Sequence, residues 1–126
     1  MKRDWETVRE MLTKIEAMDS STGYLSLRDF GADTLEEKYR ISGHMKLMMD
    51  KGLVEGTINA RLGVQANDFS ARALTWEGHE FLDAIRSDTV WNRTKETFAD
   101  KGLDMTFETI KAVAAAAMTS MLGLSV

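Results

Sequence analysis

The chain has 126 residues and a formal net charge of −4, with no cysteine and no proline. This length fits one folded domain, and the lack of cysteine excludes disulfides, thiolate nucleophiles and thiolate metal sites. The negative charge excludes a general coating of nucleic acid, because nonspecific affinity comes mainly from neutralised phosphates, but it leaves room for a local basic face.

The N-terminal sequence "MKRDWETVRE" is too polar for a secretory signal. No run approaches the ~18 apolar residues of a membrane span. We therefore expect a cytoplasmic protein with no membrane partner. The nine methionines and the absence of proline favour a mainly helical fold.

A first helix is predicted to begin after Asp4, whose side chain can cap it. Its apolar residues repeat at helical spacing and form one stripe: Trp5, Val8, Met11, Leu12, Ile15 and Met18. The period breaks in "SSTG", and Tyr24 to Leu27 is predicted to form a short strand before a turn at Gly31.

Two short helices are predicted next, capped by Asp33 and separated at Ser42-Gly43. Residues expected to face inward in the first are Leu35, Tyr39 and Ile41. The second carries Met45, Met48 and Met49 at helical spacing and ends at Gly52, which favours a left-handed backbone.

A β-hairpin follows, with strands in "LVEGTINARL" and "DFSARALT" joined by "GVQAN". Gly63 and Asn67 are the turn residues. The order helix, strand, helix, helix, hairpin is that of a winged helix-turn-helix, in which the third helix enters the DNA major groove and the hairpin forms the wing. The predicted fold class is α+β, mainly α.

The stretch "LTWEGHEFLDAIR" raises the question of a catalytic cluster around His79. With Thr75 as the N-cap, Glu77 lies in the first turn, where the helix dipole favours a carboxylate. The buried stripe is then Leu74, Gly78, Phe81, Leu82 and Ile85. No second histidine stands at metal-ligand spacing, so we interpret the stretch as a helix start, with Trp76 packed over the hairpin.

Other enzyme motifs are also missing from the sequence, including nucleotide-binding glycine loops and the nucleophile elbow. Ser20, Ser21 and Ser26 have no identifiable base, and paired carboxylates such as Glu36-Glu37 are most simply solvated helix faces. We expect a noncatalytic protein without a metal or a cofactor.

A helical extension, residues 89–126, is predicted to follow a winged-helix domain of residues 1–88. The first part carries Val90, Trp91, Thr94 and Phe98 on one side and ends at Gly102. The last helix has an apolar, alanine-rich face that we expect to form an oligomer interface: Phe107, Ile110, Val113, Ala114, Ala117, Met118, Met121 and Leu122. Packing within the chain and docking of a different protein are the alternatives.

The expected DNA contacts lie near the N-terminal end of the methionine-bearing helix and on the hairpin, where base edges, phosphates and the minor groove come within reach. The predicted DNA-binding residues are Arg40, Ser42, Gly43, His44, Lys46, Arg61, Gln65, Asn67 and Arg72. Ser42 and Gly43 are expected to bring backbone N–H groups to a phosphate. Nearby Glu36, Glu37 and Asp50 weaken the local positive field.

The segment "ISGHMKLMMDKGLVEG" resembles the arsenic-repressor and multiple-antibiotic-resistance regulator families over about sixteen residues. Ser42 stands at their leading serine, Met45 and Met48 at their leucine positions, and Gly52-Leu53-Val54 at the exit of the helix. Those families are DNA-binding dimers, so the resemblance implies a winged helix that binds DNA.

A second resemblance covers nearly the whole chain. The segments "MKRDWETVREML", "HMKLMMDKGLVEG" and "LTWEGHEFLDAIRSDTVWNRTKE" are similar to those of a domain-of-unknown-function family of short bacterial and phage proteins, number 2513. The resemblance implies a winged-helix-like fold without an established activity.

The predicted function is that of a small regulator of phage or mobile-element type, which binds double-stranded DNA as a homodimer. The alternative is a protein-interaction module that uses the same fold without binding DNA, since fold does not dictate function.

Overall fold

The computed structural model describes residues 1–19, 22–61 and 66–123. These residues form five α-helices, a short 3-10 helix and a two-stranded antiparallel sheet, so the fold is α+β, mainly α, as predicted. The elements in chain order are α1 (Trp5–Glu16), the 3-10 helix (Leu27–Phe30), α2 (Leu35–Lys51), β1 (Val54–Asn59), β2 (Asp68–Leu74), α3 (Trp76–Ile85), α4 (Asp88–Lys101) and α5 (Phe107–Met121).

The chain divides into two compact units, Met1–His79 and Glu80–Val126. The first contains α1, the 3-10 helix, α2 and the hairpin, and the second contains α4 and α5. The division falls within α3. The domain boundary predicted at residue 88 stays a prediction.

Helix α1 begins as predicted, with the Asp4 side chain accepting a hydrogen bond from the backbone N–H of Glu6 at 3.1 Å. The side chains of Val8, Met11, Leu12 and Ile15 are all buried. These four members of the predicted stripe are the face that α1 contributes to the core of the first unit. Trp5 is only half-buried, and Met18 lies beyond the end of the helix.

Helix α2 is one unbroken helix of 17 residues, so the prediction of two short helices is wrong. It is capped by Thr34, which accepts from the backbone N–H of Glu37, and not by Asp33. Gly43 inside a helix costs only about 1 kcal/mol relative to alanine, which is less than the burial of Ile41, Met45 and Met48 on one face supplies. The helix ends at Gly52 with φ 86°, as expected.

The unbroken helix reverses the inward placement predicted for Leu35 and Tyr39. Leu35 is 45% exposed and Tyr39 is 47% exposed, whereas Ile41 is buried as predicted. Tyr39 and Ile41 lie about 200° apart around one α-helix, so they cannot both face the same core.

The hairpin pairs Val54 with Leu74 and Asn59 with Asp68, and a bulge interrupts the register between Glu55 and Gly56. The predicted strand at Tyr24 to Leu27 is reduced to a single bridge between Leu25 and Ala71. It is short because the 3-10 helix begins at Leu27, with a capping box between Ser26 and Asp29. The predicted turn residue Gly63 lies outside the described residues.

The Thr75 hydroxyl caps α3 by accepting from the backbone N–H of Gly78 at 3.0 Å, as predicted. The predicted stripe is buried at all five positions: Leu74, Gly78, Phe81, Leu82 and Ile85. The packing predicted for Trp76 is wrong, because this side chain is 79% exposed. Trp76 and Gly78 lie about 200° apart around the helix, which places Trp76 on the solvent side.

In the second unit, Ser87 caps α4, whose side chains of Val90, Trp91, Thr94 and Phe98 are buried as predicted. Gly102 ends α4 with φ 62°. The rings of Phe81 and Phe107 stack with their centroids 4.6 Å apart. Within the described ranges, every helix is too short or too polar to cross a lipid bilayer.

Candidate interaction surface

Ser42 and Gly43 lie in the middle of α2, where their backbone N–H groups take part in the helix. The Ser42 hydroxyl is buried and donates to the carbonyl oxygen of Asn67 at 2.7 Å. This bond ties α2 to the loop end of the hairpin, just before β2 begins. The proposed phosphate contact of these N–H groups would need a helix end that α2 does not have at this point.

His44 is buried, with 1% of its surface exposed, and both of its ring nitrogens have partners. Nε2 accepts from the backbone N–H of Asp4 at 2.8 Å, and Nδ1 lies 2.7 Å from the carbonyl oxygen of Arg40. The imidazole thus joins α2 to the start of α1 and faces away from solvent.

The cations of α2 are partly engaged by acidic groups. Arg40 donates to the Thr7 hydroxyl at 2.6 Å and lies 4.0 Å from the Asp4 carboxylate. Lys46 is exposed and pairs with Asp50 at 2.7 Å. Both pairs reduce the positive charge that α2 presents to a phosphate.

Two cations remain exposed on the hairpin, Arg61 and Arg72. Asn67 is half-buried, with its carbonyl oxygen bound by Ser42. Gln65 lies outside the described residues. Of the nine residues predicted to bind DNA, the exposed charged side chains are therefore Lys46, on α2, and the two hairpin arginines.

The outer face of α2 carries an apolar strip that the sequence analysis did not predict. We use the name α2 strip for four residues spaced one helical turn apart: Leu35, Tyr39, Gly43 and Leu47. Leu47 is 39% exposed, comparable with the two side chains before it. Because these apolar side chains are exposed along one face, the α2 strip is a candidate surface for contact with another molecule.

The centre of the α2 strip is covered by the start of the chain. A β-carbon placed on Gly43 would lie 2.5 Å from the Met1 sulfur and 3.0 Å from its methyl carbon, so the Met1 thioether rests where a side chain would otherwise stand. Met1 remains largely exposed on its other side. It therefore adds a fourth apolar side chain to this surface.

An open hollow of about 570 Å³ lies beside Leu35 at the start of α2. Its charged lining residues are two cations, Arg28 and Lys38, and two carboxylates, Asp33 and Asp68. This balance gives no preference for an anion such as a phosphate. It suits a partner that presents both charged and apolar side chains.

One signal in the sequence indicates the α2 strip. When a continuous helix is drawn through Ile41, Met45 and Met48, residues 35, 39, 43 and 47 fall on the other side. The sequence analysis missed this pattern because the Ser42-Gly43 pair resembles a helix break, and a break would separate residues 35 and 39 from residue 47. The contact of Met1 with Gly43 has no such signal, since it depends on the tertiary fold.

The predicted oligomer residues on α5 separate into two groups. Phe107, Ile110 and Ala114 are buried, and Val113 and Ala117 are half-buried. Met118, Met121 and Leu122, at the end of the helix, are exposed. Phe107, Ile110 and Ala114 are buried within the chain, so an oligomer interface on α5 is limited to its half-buried and exposed residues.

The stretch around His79 forms a helix start. His79 is half-exposed, and its Nδ1 lies 3.6 Å from a carboxylate oxygen of Glu16. Among the residues that the structure describes, no three His, Asp or Glu side chains come together as a metal site requires.

The chain was compared with known families, proteins and structures. The family described as hypothetical protein DUF2513 matches residues 2–104. An uncharacterised protein of Haemophilus influenzae is 40% identical over 124 residues, which cover 97% of this chain and 99% of that protein. No solved structure shows a significant match. The chain therefore belongs to the DUF2513 family.

Proposed function

We propose that this protein is a noncatalytic winged helix-turn-helix module that binds a protein partner through the α2 strip. The partner is expected to present an amphipathic helix. A homodimer through the exposed end of α5 and a cytoplasmic location remain parts of the proposal. DNA binding is the second candidate function.

The order of elements supports the winged-helix assignment. Helix α1, the bridge residue Leu25, the 3-10 helix, α2 and the hairpin follow one another as the elements of a winged helix do. In this assignment the 3-10 helix takes the place of the second helix, the whole of α2 is the recognition helix, and the hairpin is the wing.

Charge favours a protein partner over DNA. The first unit has 11 Lys and Arg residues against 13 Asp and Glu residues, a formal charge of −2. Phosphate neutralisation supplies most of the nonspecific affinity for DNA. Arg40 and Lys46 also lie beside carboxylates, so these two residues offer less free positive charge to a phosphate.

The observation that carries the proposal is the exposure of Leu35, Tyr39 and Leu47 in one row of α2. Residues at i, i+4, i+8 and i+12 form a ridge, and such ridges pack into the grooves of a second helix at a crossing angle near about −50°. Tyrosine at the middle of an interface often contributes a large share of the binding energy. Gly43, between Tyr39 and Leu47, leaves room for close approach once Met1 moves.

The second candidate, a DNA-binding transcription regulator of phage or mobile-element type, is favoured by the exposed guanidinium groups of Arg61 and Arg72 on the hairpin. Arginines of a wing can contact phosphates or the minor groove. If DNA is the partner, Arg61→Ala and Arg72→Ala each reduce the salt dependence of binding by about one unit of slope per lost phosphate contact.

Site-specific photo-crosslinking in the host cell tests the proposal. A benzophenone amino acid replaces Tyr39 or Leu47, and matched controls place it at Glu10 or Thr13, which are exposed on α1. We expect a discrete crosslinked protein from positions 39 and 47, absent from the α1 positions and lost when Leu35→Glu is added.

The same samples are probed for crosslinked DNA, and the purified protein is tested by gel shift against a random DNA pool. Specific DNA capture from positions 39 and 47, with no crosslinked protein, would replace the proposal by the second candidate. Crosslinking that is equal at the α1 and α2 positions would contradict a docking role for the α2 strip.

A further inference from the structure

The first residues of the chain are held on α2 by two neighbouring contacts. The Met1 thioether lies on Gly43, and the backbone N–H of Asp4 donates to Nε2 of His44, the next residue of α2, at 2.8 Å. We call residues 1–4 the N-terminal arm. Met1, at the start of this arm, lies against Gly43 in the middle of the α2 strip.

The hydrogen bonds of His44 define its tautomer. Because the Asp4 N–H is a donor, Nε2 must be unprotonated to accept from it. The hydrogen then resides on Nδ1, which donates to the carbonyl oxygen of Arg40 at 2.7 Å. The bond to the arm therefore requires a neutral imidazole.

Protonation of His44 would place an N–H at Nε2 directly opposite the N–H of Asp4. Two donors cannot share a hydrogen bond, so the arm would lose its attachment. The Asp4 carboxylate already accepts from the Glu6 backbone at 3.1 Å and from the Thr7 hydroxyl at 2.7 Å, and it lies near Arg40. The ring is buried, so water does not readily replace the missing acceptor.

The imidazole of His44 is hydrogen-bonded to backbone groups. In the described part of the chain, its hydrogen-bond partners are the backbone of Asp4 and of Arg40. The remaining charged groups on the elements packed against α2 are Glu6, Arg9, Glu10, Lys14 and Glu16 in α1, Arg28 and Asp29 in the 3-10 helix, Glu55 in β1, and Asp68 and Arg72 in β2.

We propose that His44 is a proton-sensitive latch: neutral His44 holds the N-terminal arm over the α2 strip, and protonated His44 releases it. The arm is thus an autoinhibitory cover that opens in acid. Histidine is suited to this role because a neutral imidazole nitrogen can accept from an N–H, whereas both nitrogens of a protonated imidazole can only donate. The effect of the latch on partner binding rests on the proposed function, but the movement of the arm does not depend on a partner.

Nuclear magnetic resonance of the intact protein tests the latch without a partner. At about pH 8 the imidazole ¹⁵N shifts are expected to show the Nδ1–H tautomer, with a nuclear Overhauser contact between the Met1 methyl group and Gly43. As His44 protonates, this contact disappears, and hydrogen-exchange protection of the Asp4 amide falls about tenfold, the effect of losing one hydrogen bond. Amides in the middle of α2 keep their protection.

The chain has two histidines, which supplies a matched control. His79→Gln removes the exposed histidine and is expected to leave the transition unchanged. His44→Gln provides an amide oxygen that can accept from Asp4 without titrating, and it is expected to keep the arm closed at both pH values. If His44→Gln does not fold, the wild type and His79→Gln still decide between the two residues.

An Nε2–H tautomer at about pH 8 would overturn the proposal. So would a Met1–Gly43 contact that persists after His44 is protonated, or a transition that His79→Gln abolishes. None of these results depends on a partner, so they do not affect the crosslinking test. Loss of crosslinking at positions 39 and 47 would equally leave the latch intact.

Discussion

The backbone of Gly78, in the first turn of α3, lies against the backbone carbonyl of Leu53, and a β-carbon does not fit between them. The same carbonyl oxygen accepts from the N–H of Thr75 at 3.0 Å, and the Thr75 hydroxyl caps α3. The end of α2 and the start of α3 are fixed together by this close approach.

Gly78→Ala is therefore expected to destabilise the protein by about 1 to 3 kcal/mol, the usual range for overpacking. Gly43→Ala is the control, because its β-carbon meets only the movable Met1 side chain and alanine favours a helix by up to about 1 kcal/mol. Chemical denaturation of both variants measures the difference. Equal effects in the two variants would show that the Leu53 carbonyl does not restrict position 78.

Phe81→Ala is expected to cost about 3 to 5 kcal/mol of unfolding free energy, because the ring is fully buried and stacks on Phe107. Trp76→Ala, in the same helix, is expected to change it by less than about 0.5 kcal/mol, since Trp76 is exposed. Urea unfolding followed by circular dichroism compares them. A larger loss for Trp76 than for Phe81 would contradict the orientation of α3.

The Asp29 carboxylate is expected to add stability that disappears in acid. Its pKa is lowered mainly by the hydrogen bond from the Ser26 backbone N–H at 2.8 Å, against a smaller opposing effect of burial, with the Ser26 hydroxyl and nearby Arg28 and Lys14 also lowering it. A lowered folded pKa means that the contribution is present above the ordinary value of about 3.9 and is lost as the pH falls through the folded value.

Asp29→Asn should accordingly lower the melting temperature at neutral pH, and the difference from the wild type should shrink below about pH 4. Ser26→Ala keeps the backbone N–H and should retain most of this pH dependence. A difference between wild type and Asp29→Asn that stays constant down to acid pH would show that the charge of Asp29 has no part in it.

The exposed end of α5 is expected to form the homodimer seam. Met121→Glu and Ala117→Glu place a charge at the exposed and half-buried positions and should shift the protein to a monomer while it remains folded. Ala114→Glu is expected to unfold it instead, because Ala114 is fully buried. Light scattering with circular dichroism separates the two effects. A monomeric wild type at high micromolar concentration would contradict the seam.

The sequence predicted the elements whose apolar period is uninterrupted. Helix α1, the hairpin, the stripe of α3 and the buried face of α4 follow directly from spacing and capping residues. The prediction failed at Ser42-Gly43, where local propensity indicated a break and tertiary burial of Ile41 and Met45 maintained the helix. That single error also hid the exposure of Leu35 and Tyr39.

The fate of the predicted DNA-binding residues was harder to predict, because it depends on contacts between residues far apart in the sequence. Ser42 binds Asn67, 25 positions later, and His44 binds Asp4, 40 positions earlier. Sequence spacing cannot show which polar side chains form hydrogen bonds within the fold. It therefore assigned both side chains to a DNA interface. Arg61 and Arg72 remain candidates for DNA contact, because both side chains are exposed.

The contact between Met1 and Gly43 affects how binding assays on this protein are prepared. An affinity tag fused ahead of Met1 adds polar residues beside the middle of α2 and pulls against the Asp4 bond to His44. A tagged preparation then displays a different surface from the one that Met1 and Gly43 form together. The position of a tag therefore matters whenever binding to the α2 strip is measured.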